Sequence, residues 1–356
     1  MSSTGKAIRI GSITIGGGNP IAVQSMTNTD TRDAKSTLEQ VERLTRAGCE
    51  IVRCAVPDIE AATSLKEIVK YSPIPVVADI HFDYKLALAS IEAGCHKLRL
   101  NPGNIKNPEH VRLIAEEAKG ANVPIRVGAN AGSLPTSHID PSRQLCEAAL
   151  EQARMLEGFG FTGLVLSVKS SDIETTIEAN RLLSSLSNYP VHIGLTESGP
   201  PVVGIVRSTV ALVPLLREGI GDTIRVSLTG DPVQEVKAAW AILETAKRRQ
   251  RGATIISCPT CGRTHGDLES LVGVVEDALV GVIGLTVAVM GCEVNGPGEA
   301  RDADCGIALG AGRAAVFEGG KIVGTYEVNL AVEKLITIAR RLYERKSIHS
   351  GSETSN

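Results

Sequence analysis

Residues 74–99 read IPVVADIHFDYKLALASIEAGCHKLR, and this stretch holds one complete structural repeat. An apolar run follows Pro75, and residues 84–93 have helical spacing. Proline suits the entrance of a strand because it lacks a backbone donor. Gly94 supplies the left-handed residue that ends many helices, and a second apolar run then leads to Arg99. The stretch therefore predicts a strand, a helix and another strand in succession.

The same unit recurs through the chain as far as residue 250. Apolar runs entered through proline alternate with runs entered through glycine. The proline-entered runs include NPIAVQS (19–25), VPIRVGAN (123–130) and YPVHIGLTE (189–197), and the glycine-entered runs include RAGCEIVR (46–53), GFTGLVLSVK (160–169) and EGIGDTIRVS (218–227). Eight near-equal units of roughly 25 residues favour a closed (β/α)8 TIM barrel over a doubly wound sheet. We expect this α/β barrel to occupy residues 1–248.

A basic linker, KRRQRG, precedes a second and smaller region. The strand and helix pattern restarts there on a shorter scale, which predicts a small α/β domain over residues 253–345. The polar end of the chain, residues 346–356, is typical of a disordered tail. The chain is thus predicted to contain two domains and a tail.

Composition restricts the classes of function. The net charge of -3 and the aromatic content of 3% do not favour a nucleic-acid-binding surface. The first residues, MSSTGKAIRIGS, lack the apolar core of a signal peptide. Eight cysteines without a secretion signal indicate reduced thiols, so we expect a cytoplasmic protein.

Polar side chains stand at or just past the predicted carboxyl ends of the barrel strands, where barrel active sites are built. They are Arg53, Asp79, His81, Arg99, Asn101, Arg126, Asn130, Lys169, Glu197, Arg225 and Ser227. So many cations around one mouth require an anionic occupant, and guanidinium groups match phosphate oxygens in pairs. The set predicts a phosphate-bearing substrate. The alternative is that each arginine is solvated or paired with an acid.

The second domain carries a candidate metal site. Cys258 and Cys261 form a close pair in ISCPTCGRT, and Cys292 follows in GCEVNGPGEA. A structural zinc site would need a second close pair, whereas an iron–sulfur cluster accepts a close pair with a distant thiolate. Cys305 is a candidate fourth ligand by softness. Glu299 is the other candidate, since a carboxylate ligand would be exchangeable, although it is equally consistent with a surface acid.

The sequence resembles a known family along most of its length. The matching motifs run from about Ile8 to Leu342: VADIHFDYKLAL, KLRLNPGNI, IRVGANAGSL, SVKSSD, LTESG, GIGDTIRVSLTGDPVQEV, ISCPTCGRT and GCEVNGPGEA. Together they are similar to the 4-hydroxy-3-methylbut-2-enyl diphosphate synthases of the non-mevalonate isoprenoid pathway, in their two-domain form. Residues 135–146, PTSHIDPSRQLC, lie outside these motifs and receive no role.

This resemblance implies a [4Fe-4S] cluster on Cys258, Cys261 and Cys292 with Glu299 as fourth ligand. It implies reductive opening and dehydration of 2-C-methyl-D-erythritol 2,4-cyclodiphosphate, with two electrons drawn from flavodoxin or ferredoxin. It also implies a head-to-tail homodimer in which the cluster of one subunit faces the barrel of the other.

The resemblance further implies roles for the residues of the barrel mouth. The diphosphate is held at Arg53, Arg99, Arg126, Lys169, Arg225 and Ser227. The carbon skeleton lies near Asp79, His81, Asn101, Asn130 and Glu197. Glu197 and His81 are both candidate proton donors, and the residues do not choose between them.

Two other functions fit parts of the sequence. One is a non-redox barrel enzyme that acts on a phosphorylated substrate and carries a zinc-stabilised appendage. The other is a zinc-ribbon adaptor without catalysis, which does not explain the cationic barrel mouth. Brown protein with bound iron distinguishes the redox enzyme from both.

Overall fold

The computed structural model of the chain describes residues 5–81, 83–100, 105, 107–134, 138–293, 300 and 302–352. The chain divides into two compact units, Met1–Arg249 and Gln250–Asn356. The predicted basic linker falls on this division. Arg249 belongs to the first unit, where its guanidinium bonds Glu50 at 2.8 Å and lies over the ring of Trp240.

The first unit is a parallel eight-stranded barrel, which confirms the predicted fold. Its strands are β3 (Ala22–Met26), β4 (Ile51–Ala55), β5 (Val76–Ile80), β6 (Lys97–Leu100), β7 (Ile125–Asn130), β8 (Leu164–Lys169), β9 (His192–Ile193) and β10 (Thr223–Ile224). The strand order is β8-β7-β6-β5-β4-β3-β10-β9. A parallel bridge between Leu166 and Val191 joins the two ends of this order.

A helix follows each barrel strand. The eight helices are α1 (Ala34–Ala47), α2 (Ile59–Tyr71), α3 (Tyr84–Glu92), α4 (Pro108–Gly120), α5 (Pro141–Gly158), α6 (Ile173–Leu186), α7 (Pro201–Arg217) and α8 (Pro232–Thr245). Most begin at an aspartate whose carboxylate accepts a bond from a first-turn amide, as Asp58 does from Ala61 and Asp172 from Thr175. Such caps satisfy amides that the helix leaves without partners, and so they fix where each loop ends.

A β-hairpin precedes the barrel, and it was not predicted. It pairs β1 (Ala7–Ile10) with β2 (Ile13–Gly16) in antiparallel register. Ile10 and Ile15 are fully buried and pack in one cluster with Ala22, Ile51, Val77 and Val165. These four residues stand at the first or second position of their strands, so the hairpin covers the amino-terminal end of the barrel. The hairpin does not cover the carboxyl end of these strands.

In its described residues, the second unit is a five-stranded sheet with two helices. Its strands are β11 (Thr254–Ser257), β12 (Thr286–Met290), β13 (Cys305–Leu309), β14 (Arg313–Glu318) and β15 (Lys321–Glu327), in that order. The first three run parallel, and the last two are antiparallel additions. Helices α9 (Leu268–Ala278) and α10 (Val328–Ser352) contribute to the apolar core of this unit.

Helix α10 extends further than the sequence analysis expected. A disordered tail was placed at residues 346–356, but the helix continues to Ser352. Lys346 explains part of this extension, because its ammonium bonds the carboxylate of Asp304 at 2.9 Å and the carbonyl of Gly284 at 3.2 Å. Residues 353–356 lie outside the described part of the chain.

Candidate active site

The centre of the barrel mouth is a buried carboxylate between two arginines. Asp79 accepts a 2.9 Å bond from Nη1 of Arg99, and its second oxygen lies 3.5 Å from Nε of Arg53. Burial opposes ionisation of this carboxyl, but the charges of Arg53 and Arg99 outweigh it and lower its pKa to about 2. Asp79 therefore stays ionised and holds both guanidinium groups in place.

Arg126 adds a third guanidinium to this cluster, and no acid among the described residues forms an ion pair with it. Asp79, Arg99 and Arg126 are cross-strand neighbours on β5, β6 and β7. Burial lowers the pKa of Arg126 well below its usual value, and the charges of Arg53 and Arg99 lower it further. The buried Nε atoms of Arg99 and Arg126 have no hydrogen-bond partner within the described residues. Buried donors without partners are costly, so this cluster is built to receive an acceptor.

The position of Arg126 differs from the sequence-based expectation. It was placed at or past the end of its strand, yet it is the second residue of β7, which runs on to Asn130. The strand begins directly after Pro124. It continues through Gly128 and Ala129, which do not favour strand, so it is longer than the sequence indicates. A Cβ at residue 128 would lie 3.3 Å from Nη1 of Arg126, so glycine there leaves the guanidinium room inside the barrel.

Lys169 ends β8 and brings an ammonium group to the same cluster. Its Nζ lies 3.2 Å from Nε2 of His192. Burial lowers the pKa of Lys169 well below its usual value, and the charges of Arg126 and Arg225 act in the same direction. A Cβ at Gly194 would lie 2.5 Å from the backbone oxygen of Arg225 and 2.6 Å from this Nζ, so glycine here lets both groups pack closely.

Arg225 forms an ion pair with a single carboxylate through two of its nitrogens. Its Nε and Nη2 lie 3.3 and 3.2 Å from the two carboxylate oxygens of Glu235, in the first turn of α8. Glu235 also accepts bonds from the hydroxyl of Ser25 and the amide of Leu228. The alternative of an arginine paired with an acid thus holds for Arg225, whose guanidinium is oriented by its partner. Ser227 follows two residues later and is half-buried.

The remaining predicted residues are spread around the mouth. His81 directly follows β5 and is half-buried, and Asn130 ends β7 beside Lys169 in the strand register. Glu197 is exposed and has a φ of 52°, which side-chain-bearing residues adopt infrequently. Asn101 and Glu299 lie outside the described residues.

Lys97 and His192 are buried titratable residues of the barrel interior that were not predicted from the sequence. Lys97 is completely buried, and its Nζ bonds Oε1 of Gln24 at 3.1 Å. His192 is also completely buried. Lys97 could have been found from the alternation of a strand, because it precedes Arg99 by two residues and so faces the same side. His192 has no such signal, because the residue two places later is Gly194.

A separate cleft of about 810 Å³ lies at the amino-terminal end of the barrel. Arg9, His96, Lys119 and Asn122 contribute its polar lining. None of the residues predicted to bind substrate lines it, so the cleft is distinct from the cationic mouth.

The cysteine loops of the second unit leave two neighbouring parallel strands. Cys258 follows β11 directly, Cys292 lies two residues beyond β12, and Ser257 pairs with Val289 in the register. The amide of Gly291 donates a 3.2 Å bond to Sγ of Cys258. The pairing of β11 with β12 therefore brings the loops that carry these two thiols to the same end of the sheet.

Cys261 lies on the same loop as Cys258 but is exposed. A hydrogen bond from the backbone amide of Arg263 lowers the pKa of its thiol, and the charge of Arg263 contributes. The amide of His265 donates to the carbonyl of Gly291 at 2.9 Å and ties the two cysteine loops together. Within the described residues no three histidine, cysteine or acidic side chains are grouped closely enough to hold a metal ion. These bonds hold the two cysteine loops side by side, and the grouping of Cys261 with Cys258 and Cys292 stays a prediction.

Cys305 stands at the other end of the same sheet. It begins β13 and pairs with Val287, whereas Met290 at the far end of β12 pairs with Ala308. The side chain is fully buried, and burial raises the pKa of its thiol to about 12. This thiol is packed as a small apolar group and is remote from the loops that carry Cys258 and Cys292.

A (β/α)8 barrel with a buried cationic cluster at the carboxyl ends of its strands defines an enzyme of the TIM-barrel class. The GcpE TIM-barrel domain matches residues 5–240, and the GcpE protein C-terminal domain matches residues 254–341. The chain therefore belongs to the GcpE family of 4-hydroxy-3-methylbut-2-en-1-yl diphosphate synthases. The family resemblance inferred from the sequence motifs is confirmed.

Several relatives are similar over nearly their whole length, and all carry the name 4-hydroxy-3-methylbut-2-en-1-yl diphosphate synthase (flavodoxin). The protein of Clostridium acetobutylicum is 49% identical over 93% of this chain and 97% of its own. That of Caldicellulosiruptor saccharolyticus is 50% identical over 95% and 99%. That of Maridesulfovibrio salexigens is 54% identical over 88% and 89%.

Solved structures with a similar fold are more distant in sequence. The dihydropteroate synthase of Yersinia pestis superposes with a TM-score of 0.51 at 14% identity, covering 68% of this chain and 97% of its own. This likeness concerns the fold alone. None of the described helices combines the length and the apolarity that crossing a membrane requires.

Proposed function

We propose that the protein catalyses the reductive ring opening and dehydration of 2-C-methyl-D-erythritol 2,4-cyclodiphosphate to 4-hydroxy-3-methylbut-2-enyl diphosphate. Family membership supports the reaction. The observation that carries the substrate class is the buried cluster of Arg53, Arg99 and Arg126 around one carboxylate, with two guanidinium Nε atoms left without partners. A cyclic diphosphate supplies acceptor oxygens and negative charge to such a cluster.

The cations are proposed to hold the diphosphate, and the acids to hold the cations. Asp79 keeps Arg53 and Arg99 in place, and Glu235 keeps Arg225 in place, so these guanidinium groups do not need to reorganise when substrate binds. Arg126 and Lys169, which lack acidic partners in the described residues, are the groups whose charge substrate compensates most. Ser227 is proposed to donate its hydroxyl to a phosphate oxygen.

The thiols of the second unit fit an iron–sulfur cluster. Cys258 and Cys292 converge at one edge of the sheet, the Gly291 amide already donates to a sulfur, and the Cys261 thiol is biased towards thiolate. We propose that these three cysteines hold a [4Fe-4S] cluster, with Glu299 as fourth ligand. When bound, such a cluster supplies two electrons singly to the substrate.

The oxygen that leaves the substrate must be protonated to depart as water. His81, directly after β5, and Glu197, on the β9–α7 segment, are the candidate proton donors. Asp79 is excluded from this role, because its low pKa leaves it without a proton near neutral pH. Asn101 and Asn130 are proposed to orient the carbon skeleton through hydrogen bonds.

Partners and location are proposed from the same family relation. Flavodoxin, named in the relatives, is the proposed electron donor, with ferredoxin as the alternative. We also propose a head-to-tail homodimer in the cytoplasm. Sedimentation of the purified protein tests the dimer, and a single species of monomer mass contradicts it.

The experiment that tests the function begins with anaerobic purification. We expect brown protein with bound iron that bleaches on reduction and converts the cyclodiphosphate when reduced flavodoxin is supplied. Colourless protein with stoichiometric zinc and no turnover would favour a non-redox barrel enzyme and overturn the proposal.

A further inference from the structure

The ring of His192 lies completely buried beneath the cationic cluster, and both of its nitrogens have partners. Nε2 lies 3.2 Å from the ammonium nitrogen of Lys169. Nδ1 lies 2.7 Å from the hydroxyl oxygen of Thr223. Lys169 belongs to β8, His192 to β9 and Thr223 to β10, so this chain of hydrogen bonds crosses three neighbouring strands.

The backbone fixes the position of this ring. His192 and Thr223 are register partners across β9 and β10. The hydroxyl of Ser167 on β8 donates a 2.9 Å bond to the carbonyl of His192. A side chain held from both neighbouring strands, with no exposed surface, has little freedom to rotate, so its two nitrogens keep their partners.

The surroundings of the ring decide its protonation. Burial lowers the pKa of His192 well below its usual value, and the charges of Lys169, Arg126 and Lys97 lower it further. The imidazole is therefore neutral, with one donor nitrogen and one acceptor nitrogen. A phosphate-bound Lys169 is an ammonium with only donors, so in that state Nε2 accepts from Lys169 and Nδ1 donates to Thr223.

We propose that His192 is a positioning residue, which accepts one N–H of Lys169 through Nε2 and thereby directs the remaining N–H groups of that ammonium at the substrate phosphate. The proposal rests on the proposed function, in which Lys169 binds the diphosphate. It assigns Thr223 the task of holding the Nδ1–H tautomer.

A neutral acceptor suits this position better than an acid. A carboxylate in place of the imidazole would orient Lys169 but would also cancel its charge, as Glu235 does in part for Arg225. Imidazole orients the ammonium and leaves its full charge for the substrate. Gly194, directly after β9, keeps clear the space that Lys169 occupies.

The first test measures binding of inorganic pyrophosphate to anaerobically purified full-length protein by calorimetry. His192→Leu removes the acceptor, and we expect the dissociation constant to rise roughly tenfold or more, the range for a hydrogen bond to a charged group. His192→Gln retains an oxygen acceptor near the position of Nε2, and we expect it to bind within about threefold of wild type. Equal binding by wild type and His192→Leu overturns the proposal.

A second comparison shows whether the histidine acts through the lysine. In a Lys169→Met background, replacing His192 by leucine should weaken pyrophosphate binding no further, because the group that it positions is absent. A full additional loss in that background contradicts a positioning role. Turnover should follow the same order, with KM raised more than kcat is lowered.

The third test needs no variant at His192, so it holds even if such variants fail to fold. Nitrogen NMR of histidine-labelled wild-type protein should show a neutral ring protonated at Nδ1, and Thr223→Val should weaken that preference. A wild-type ring protonated at Nε2 overturns the proposal. Failure of the wild-type protein to bind pyrophosphate at all rejects the proposed phosphate site instead, so the two failures are distinguishable.

Discussion

At the scale of single residues, the barrel mouth is organised by unequal pairing of its cations. Arg53 and Arg99 share Asp79, Arg225 has Glu235, and Arg126 has no acidic partner among the described residues. A buried charge without a partner costs stability, and its removal is often neutral or stabilising. The arginine whose charge we propose that substrate compensates is therefore the one that costs the ligand-free protein most.

Arg126→Met should separate binding from stability. Methionine fills much of the same volume without charge, so we expect unchanged or higher stability towards urea in the absence of ligand. We expect kcat/KM to fall roughly tenfold or more, because a charged hydrogen-bond donor to the phosphate is lost. Arg181→Met on α6 is the control, since that residue pairs with Glu218 on the surface and should alter neither quantity appreciably. Near-normal turnover in Arg126→Met would refute the role of Arg126.

Asp79 should make the stability of the barrel depend on pH in acid. Its folded pKa of about 2 lies below the value of roughly 3.9 expected in the unfolded chain. The unfolded state therefore binds the proton first, so the stabilisation is present above the unfolded pKa and is lost as pH falls towards 2. This linkage contributes on the order of 2 kcal/mol.

The measurement is urea unfolding of wild type and Asp79→Asn at pH 5 and pH 3. The wild type should lose more stability than the variant over this interval, and Glu92→Gln, an exposed substitution on α3, should behave like wild type. Parallel losses in wild type and Asp79→Asn contradict the assignment.

The two kinds of cysteine in the second unit should respond differently to substitution. Serine at Cys258 or Cys292 should lower the iron content and the visible absorbance, because one thiolate ligand is lost. Alanine at Cys305 should leave both unchanged and reduce only the stability of the sheet, since that thiol is packed in the core. Loss of iron in Cys305→Ala would restore Cys305 as a candidate ligand.

Glu299 needs its own variant. We expect Glu299→Ala to assemble the cluster, with less stable retention of iron, and to lose most of its turnover. Glu293→Ala is the control at an acid nearby in the sequence, and the carboxylate of Glu293 lies against Gly310. Normal turnover in Glu299→Ala shows that its carboxylate is a surface group.

The sequence predicts the identity of the charged cluster better than its internal pairing. Arg99 and Lys169 could be placed in the mouth because they stand at or next to the ends of their strands, whereas Arg53 is the third of the five residues of β4 and not at its end as expected. The pairing of Arg225 with Glu235 could not be predicted, because it depends on how the first turn of α8 folds back on the strand that precedes it. The third thiol, Cys261, was expected beside Cys258 and Cys292, and this stays a prediction.

At the scale of elements, the β1–β2 hairpin is the part that the sequence analysis missed. The stretch AIRIGSITIG alternates apolar and polar residues about a glycine-containing turn, which is a hairpin signal. The eightfold repeat does not reveal the hairpin, because the hairpin belongs to none of the eight units. The end of α10 was also misjudged, since its polar composition resembles a tail while Lys346 anchors it to Asp304.

The hairpin should contribute substantially to the stability of the barrel. Ile10→Ala or Ile15→Ala removes a fully buried side chain and should cost about 2–5 kcal/mol in the free energy of unfolding. Ile59→Ala is the control, because Ile59 is 62% exposed on α2 and should change stability little. Urea unfolding followed by circular dichroism provides the values. A cost below that of the control would mean that the hairpin only covers the barrel loosely.

At the scale of the whole molecule, the sequence divides correctly into a barrel and a smaller sheet unit. Eight similar repeats specify the barrel, because each strand must be buried on both faces and only closure achieves this for all of them. The strand order of the second unit was not predictable in the same way, since β14 and β15 are antiparallel additions to a parallel core.

The hairpin at the amino end of the barrel has a kinetic consequence. Ile10 and Ile15 cover that end, so we expect ligands to reach the cationic cluster from the carboxyl end of the strands. In the proposed function, reactant and product then share this route and bind the same guanidinium groups. Product inhibition should therefore be purely competitive, and added pyrophosphate should raise the apparent KM without changing the maximal rate. Turnover will slow as product accumulates unless the next enzyme removes it.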